Sequence, residues 1–262
     1  MILFFSGTGN SRAVAKRLSR NLGDSLLEID ASMDMNIDAS HDERIVWCFP
    51  VHAWDMPELV RDVLNRIQIL SGEVLPHFMV ATCGDDIGKT HLSWRAAMKK
   101  RKWNPVSAFS VIMPNTYVLL PGFDVDTAEV RERKLEQACG QVDKISRAIK
   151  CHSNIDNVTE GTAAWLKSRV LSPLFKAFLM SPRPFHATDK CIGCGKCMTI
   201  CPMNNIDMLK QENHPIWHDK CTMCLGCYHV CPCHAVAYGK ATRKKGQSYL
   251  SVSEANIVAG AT

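Results

Sequence analysis

The sequence has no apolar run that approaches the length needed to cross a membrane, so we expect no integral membrane segment. It also has no basic leader, because the strand-like run of residues 2–5 follows Met1 directly. The net charge of +5 is mild, and no stripe of basic residues interleaved with aromatics accompanies it, which argues against a nucleic-acid partner. These absences predict a cytoplasmic protein in a reducing compartment. Its thirteen cysteines are therefore better interpreted as metal ligands than as disulfides.

Eight of these cysteines belong to two copies of one motif, C-x2-C-x2-C-x3-C-P, offset by thirty residues. This run binds bacterial-type [4Fe-4S] clusters: three closely spaced thiolates hold one cluster, and the fourth turns away to the other cluster. We therefore predict two clusters with crossed ligands. The first cysteine set is Cys191, Cys194, Cys197 and Cys231, and the second cysteine set is Cys221, Cys224, Cys227 and Cys201.

Structural zinc and disulfides are the alternatives for these cysteines. Zinc sites usually combine paired cysteines with histidines rather than two four-cysteine runs in register. Glycines inside the runs, namely Gly193, Gly195 and Gly226, are expected to let the loops curl around a cluster. The nearby histidines are expected to pack or to support the cysteines, because every iron already has a thiolate.

A second signal lies near the start of the chain, where an apolar strand leads through a short polar loop into an amphipathic helix. Small residues opening a helix present free N–H groups to an anion. The loop lacks the ending of a Walker sequence and the glycine pattern of a dinucleotide site. It resembles the phosphate loop of flavodoxins, which implies that it holds the phosphate of FMN; the alternative is an ordinary strand-to-helix turn. The residues concerned are Ser6, Thr8, Gly9, Asn10 and Ser11.

Two further loops follow predicted strands. The resemblance to flavodoxins implies that the first covers one face of the flavin ring, with His52 and Trp54 as candidates, although Trp54 could simply fill a domain contact. The second would lie against the ring edge, and its Cys83 is either redox-active or a turn residue. The loops comprise Pro50, Val51, His52, Ala53 and Trp54, and then Cys83, Gly84, Asp85 and Asp86.

Five apolar strands alternate with helices over residues 1–150. This alternation predicts an α/β fold, a five-stranded parallel, flavodoxin-like doubly wound sheet, with ligands at the carboxyl ends of its strands. A helical linker would span residues 151–183, a small α+β two-cluster ferredoxin domain residues 184–240, and a tail without assigned fold residues 241–262. The linker carries an apolar stripe that we expect to pack between the domains, with a membrane interface as the alternative. Residues 114–123 are expected to close over the flavin or to face the cluster domain.

Taken together, residues 1–240 resemble the flavodoxin–ferredoxin fusion proteins of anaerobic microbes. That resemblance implies FMN, two [4Fe-4S] clusters and electron transfer to or from a redox partner protein. An alternative is an FMN-dependent reductase of a small molecule, in which His52, Asp85 and Tyr117 are the available proton donors. A redox sensor is a third hypothesis, but no output domain is evident. The sequence indicates neither the partner, nor the direction of electron flow, nor the oligomeric state.

Overall fold

The computed structural model describes residues 1–178, 180–209 and 214–260. Its first part alternates strands and helices. The elements are β1 (Ile2–Phe4), α1 (Asn10–Leu22), β2 (Leu26–Glu28), β3 (Asn36–Asp38), β4 (Ile45–Pro50), α2 (Glu58–Arg66), β5 (Gln68–Leu70), β6 (Pro76–Cys83), α3 (Thr90–Lys100), β7 (Asn104–Ile112) and α4 (Ala128–Lys150).

Five of these strands form one parallel sheet in the order β2-β1-β4-β6-β7. Counting only those five, the order is 2-1-3-4-5, the flavodoxin-like doubly wound arrangement. The predicted fold class is therefore confirmed. The short parallel pair of β3 and β5 was not predicted, because three-residue strands carry little periodicity.

Both faces of the sheet are buried. Leu3 and Trp47 belong to the core on one side, and Ile2 and Val46 belong to the core on the other. Burial on both sides explains why β4 is a continuous apolar run rather than an alternating one. The order of the strands brings the loops after β1, β4 and β6 to one edge of the sheet, which is where the cofactor loops were predicted.

A buried histidine is expected to make the stability of this domain dependent on pH. The indole N–H of Trp47 donates to Nδ1 of His77 at 3.0 Å, and Nε2 lies 2.8 Å from the carbonyl oxygen of Gly72. Burial lowers the pKa of His77 to about 4. The unfolded chain then binds a proton below about pH 6.5 while the folded chain does not, so stability is present above that pH and falls below it.

Replacing His77 with phenylalanine is expected to remove this contribution. The wild type should lose about 1 kcal/mol more of its unfolding free energy than the variant between about pH 7.5 and about pH 5.5. Urea unfolding at the two pH values measures the difference. The exposed His41 provides the control, since His41→Gln should keep the wild-type dependence. An identical pH dependence in wild type and His77→Phe would contradict the assignment.

The linker runs along the first domain and then forms a continuous helical segment. Residues 156–159 hydrogen-bond to the edge strand β7, for example from Asn157 N–H to the Ala108 carbonyl at 2.9 Å. This pairing covers a strand edge that would otherwise be open. The segment then comprises α5 (Ala164–Leu166), a π-helical turn (Lys167–Leu171) and α6 (Ser172–Phe178).

The prediction that the apolar stripe packs between the domains is wrong for most of its members. Polar residues face inward instead: Lys167 pairs with Asp86 at 2.6 Å, and Lys176 pairs with Asp55 at 2.6 Å. Asp55 directly follows the first predicted flavin-ring loop (residues 50–54), and Asp86 ends the second ring loop (residues 83–86). These two carboxylates draw the lysines in and turn the apolar side outward. Phe175 does reach the interior, whereas Leu179 lies outside the described residues. The exposed members are Trp165 (64% exposed), Leu166, Val170, Leu171 and Leu174.

None of the helices formed by the described residues is long and apolar enough to cross a membrane. The second part of the chain is small and contains short antiparallel strand pairs, β10 with β9 and β11 with β8. Its elements are β8 (Phe185–Ala187), α7 (Lys196–Thr199), β9 (Ile206–Leu209), β10 (His214–Trp217), α8 (Gly226–Val230) and β11 (Val236–Tyr238).

The tail has a structure that the sequence did not predict. After the cluster domain the chain returns to the first domain and ends in α9 (Val252–Ala259), which packs on α1 and α4. Arg131 pairs with Glu254 at 2.6 Å, and Arg17 donates to the Val258 carbonyl at 2.7 Å. The last helix in the sequence therefore completes the core of the first domain.

Candidate cofactor sites

The predicted flavin residues converge on one cavity of about 490 Å³, a size typical of small-molecule sites. All of them line it except Gly9. Sequence analysis singles out three of the other contributors: residues 114–123 as a covering segment, Tyr117 as a proton donor and Cys224 as a cluster ligand. The other lining residues, these included, come from the loop after β1, from β6, from residues 114–123, from the linker and from the cluster domain. They are Gly7, Thr82, Pro114, Asn115, Thr116, Tyr117, Leu119, Leu120, Phe123, Lys167, Phe175, Met180, Met223, Cys224 and Leu225.

The phosphate loop has the geometry of an anion site. Gly9 precedes α1 with a φ of 96°, a left-handed conformation that favours glycine. No side chain caps the helix, and its first turn has no acidic residue. The N-terminal N–H groups therefore remain available for the phosphate of a bound flavin. Around them, Ser11 Oγ lies 2.7 Å from Thr82 Oγ1, and the Asn10 side-chain amide donates to the Pro114 carbonyl at 2.8 Å.

The first ring loop is a tight turn held by two backbone hydrogen bonds between His52 and Asp55, at 3.0 and 3.1 Å. Ala53 and Trp54 both have positive φ values, 48° and 56°, which is strained for residues other than glycine. Ser168 of the linker donates its hydroxyl to the Trp54 carbonyl at 3.1 Å. The linker therefore holds the strained turn in place at the cavity wall.

His52 supplies a polar atom without a partner inside this wall. Its Nδ1 is buried and makes no hydrogen bond in the structure. Burial lowers the pKa of His52 to about 4, with the positive charge of Lys176 as the next contribution. The imidazole is therefore neutral at physiological pH. An orphaned ring nitrogen beside the cavity fits a cofactor that offers a polar edge.

The second ring loop gives each residue a separate role. Asp86 is paired with Lys167, Asp85 is exposed, and the carbonyl of Gly84 accepts from Lys134 Nζ at 3.0 Å. Burial raises the pKa of Cys83 to about 12, and the carboxylates of Asp86 and Asp85 add to the effect. A thiol that stays protonated is a poor nucleophile. The turn role of Cys83 is therefore favoured over a redox role.

The eight motif cysteines lie in two groups, and the crossed ligation of two clusters by these groups stays a prediction. The first cysteine set lines a small cavity of about 20 Å³. The charges of Cys191 and Cys231 both act on Cys197, and the charge of Cys201 acts on the other three members of the second set. No three His, Cys, Asp or Glu side chains in the described ranges converge closely enough to hold a single metal ion.

Most thiols of the second set are deeply buried. Burial raises the pKa of Cys224 to about 12, and burial together with the charge of Cys224 raises the pKa of Cys227 well above its usual value. Buried thiolates at these positions need positive charge beside them, which bound iron supplies. Backbone N–H groups also point at equivalent sulfurs in the two repeats. Asn205 N–H donates to Cys201 Sγ at 3.4 Å, and Ala235 N–H donates to Cys231 Sγ at 3.2 Å.

The two cofactor sites share a wall. A Cβ added to Gly7 in the phosphate loop would lie 2.5 Å from Cys224 Cβ and 3.1 Å from Cys224 Sγ. Conversely, a Cβ added to Gly226 would lie 2.6 Å from the Gly7 carbonyl oxygen. Gly226 itself has no positive φ, so it allows the close approach of two backbones and not the loop curl predicted for it. Cys224 of the second cysteine set therefore lies directly against the cavity that is predicted to hold the flavin.

The second repeat departs from the first where it meets this cavity. Left-handed backbone recurs at equivalent positions, Gly193 with Met223 and Gly195 with Leu225. Glycine is the unstrained choice, and other residues cost roughly 1 kcal/mol each in this conformation. Met223 and Leu225 are buried and line the cavity, so their apolar contacts offset the strain. Two non-glycine residues at loop positions that are glycine in the other repeat were the available sequence signal for this contact.

The last part of the site is residues 245–251, here called the strap, which crosses both domains. The Gln247 side-chain amide donates to the Cys231 carbonyl at 3.0 Å, Ser248 N–H donates to Nδ1 of His229 at 3.1 Å, and Leu250 N–H donates to the Thr8 carbonyl at 2.9 Å. The strap thus connects the end of the second cysteine run to the phosphate loop.

Comparisons with known proteins support the metal-binding part directly. The family model of a 4Fe-4S dicluster domain matches residues 186–237, which contain all eight motif cysteines. This match indicates an iron–sulfur domain with an electron-transfer role. A search of curated proteins finds no match.

Two solved structures are similar to the first part of the chain at low scores. One is the Trp repressor binding protein from Bacillus subtilis, with 10% identity over 55% of this chain and 96% of that chain and a TM-score of 0.36. The other is an NAD(P)H:quinone oxidoreductase from Methanothermobacter marburgensis, with 12% identity over 57% of this chain and 94% of that chain and a TM-score of 0.31. At these scores the fold assignment rests on the strand order itself.

Proposed function

We propose that this protein transfers single electrons between two [4Fe-4S] clusters and FMN, and acts as a redox carrier for a partner oxidoreductase. The observation that carries the proposal is the shared wall. Cys224 lines the same cavity as the phosphate loop and both ring loops. A cofactor in that cavity and a cluster on the second cysteine set would therefore be neighbours, without an intervening layer of protein.

Different residues of the chain would hold the clusters and the FMN. The two cysteine sets would ligate the clusters, and backbone N–H groups at the start of α1 would hold the flavin phosphate. Trp54, Tyr117 and the strained turn would exclude water from the ring, while His52 Nδ1 would meet a polar ring atom. When bound, the clusters supply one-electron chemistry and the flavin supplies one- or two-electron chemistry.

The experiment is anaerobic reconstitution followed by stopped-flow spectroscopy. The protein is expected to hold about eight irons and a single FMN. A photoreduced deazaflavin, added without any organic substrate, should reduce the clusters and bleach the flavin in the same molecule. Flavin bleaching that depends on the clusters supports the carrier. A protein that binds iron but no flavin, or bleaching that is equally fast without clusters, would contradict it.

The reductase alternative has one favourable observation. All three predicted proton donors, His52, Asp85 and Tyr117, line the flavin cavity. Burial raises the pKa of Tyr117, so its phenol stays protonated. The centroid of its ring lies 5.5 Å from that of Phe123 and 5.9 Å from that of Phe175. Turnover of a small organic acceptor that is lost in Tyr117→Phe would favour this alternative over a pure carrier.

A further inference from the structure

Equivalent surfaces of the two cysteine repeats differ in exposure: one is buried against the rest of the chain and the other is open to solvent. In the second repeat Thr222, Tyr228 and His229 are at most 4% exposed, because this surface lies against the first domain and the strap. His229 Nε2, for example, lies 2.7 Å from the Thr116 carbonyl oxygen. The equivalent residues thirty positions earlier are free of such contacts: Ile192 is 63% exposed and Met198 is 41% exposed. The repeat therefore carries one docking surface that is used within the chain and one equivalent surface that is open.

The open surface, here called the 190–198 face, consists of Lys190, Ile192, Cys194, Lys196 and Met198. Cys194 is the only one of the eight motif cysteines in the exposed class. Ile192 and Lys196 line the same small cavity as this cysteine, and Lys190 is exposed at the start of the run. The face therefore has an apolar centre beside a ligand cysteine, with a lysine on each side.

The basic residues around the 190–198 face indicate which kind of partner protein fits it. Lys196 stands at the position equivalent to Gly226 of the second repeat. At Gly226 the close approach of the Gly7 carbonyl oxygen leaves no room for a side chain. Residues 183–245 contain nine lysines and arginines against three aspartates and one glutamate, and of these acidic residues Asp189 adjoins the face. Apolar centres with charged rims are typical of transient interfaces. A basic rim favours encounter with an acidic surface.

We propose, building on the carrier function above, that the 190–198 face is the docking surface for an acidic one-electron carrier protein. One electron leaves the reduced carrier, which is thereby oxidised, and this chain is reduced by that electron; no bond to a substrate forms or breaks. The first cysteine set then stands at the outer end of the protein, and the second stands at the flavin.

The test uses the full-length reconstituted protein and an acidic two-[4Fe-4S] ferredoxin, photoreduced, as the probe. The double variant Lys190→Glu/Lys196→Glu is expected to lower the second-order rate constant of electron transfer at low ionic strength by about tenfold or more, and to abolish its decrease with added salt. Zero-length carbodiimide cross-linking should join Lys190 or Lys196 of the wild type to carboxylates of the probe, identified by peptide mass spectrometry.

The matched control is Lys99→Glu/Lys100→Glu at the exposed end of α3, which changes the net charge equally. This control should keep the wild-type rate with the ferredoxin. A photoreduced deazaflavin should reduce all three proteins alike, which separates a docking defect from a failure of the carrier function itself. Equal losses in both double variants, a loss that also affects the deazaflavin reaction, or cross-links confined to other lysines would overturn the docking assignment.

Discussion

Replacing Cys201 with alanine is expected to empty the cluster site beside the flavin cavity and to leave the other site filled. Although Cys201 belongs to the first sequence repeat, its charge acts on Cys221, Cys224 and Cys227. The reconstituted variant should therefore hold about four irons instead of about eight. Iron and sulfide analysis gives the count, and electron paramagnetic resonance of the reduced protein shows which cluster signal remains. The flavin should no longer be reduced through the clusters.

Two other cysteines test the specificity of this result. Cys231→Ala should also reduce the iron count to about four, but by emptying the first set, so that the remaining cluster still adjoins the flavin. Cys233 also lines the small cavity and belongs to neither set, and Cys233→Ala should keep the full iron content. If Cys201→Ala lost the cluster on Cys191 and kept the one on Cys224, the crossed ligation would be refuted.

Gly226→Ala is expected to force the two cofactor loops apart. Its methyl group would be placed 2.6 Å from the Gly7 carbonyl oxygen, and a backbone oxygen in a packed loop cannot move aside without shifting the phosphate loop. Overpacking of this kind typically costs about 1–3 kcal/mol of unfolding free energy. Because the displaced loop would hold the phosphate, FMN affinity should fall as well. Urea unfolding and flavin fluorescence titration of the reconstituted protein measure the two effects.

Gly140→Ala is the matched control for this substitution. Gly140 lies inside α4, and a Cβ added there would meet no heavy atom within 4 Å. Alanine in a helix interior is more stable than glycine by about 0.5–1 kcal/mol, so this variant should be stabilised and should bind FMN normally. Unchanged stability and flavin affinity in Gly226→Ala would show that the contact between the loops is not needed.

Sequence reasoning identified what is encoded locally. The cysteine runs and the phosphate loop consist of residues a few positions apart, so their spacing can be recognised without a structure. Five apolar strands were enough to predict the sheet. The shared wall was not predictable, because Gly7 and Gly226 are distant in sequence and meet only in the folded chain. The linker stripe was misjudged for a similar reason: Asp55 and Asp86 lie on other loops and pair with its lysines.

The tail shows a different limit. Residues 252–259 are apolar on more than one side, so no helical periodicity distinguishes a buried face. Burial of Ala255 and Val258 depends on the surface that α1 offers, and that surface lies more than two hundred residues earlier in the sequence. The same dependence explains why the strap was not assigned: its hydrogen bonds go to backbone and side-chain groups of both domains.

The position of α9 has a consequence for the order in which the protein is made. A ribosome synthesises α1 before the cluster domain and α9 after it, so the first domain cannot complete its core until the cluster domain has been made. A gene fragment that ends at the linker would encode a flavin domain with the α9-binding surface of α1 uncovered. Maturation of the two halves is thereby tied together, and the strap closes over the phosphate loop only after the cluster domain has been synthesised.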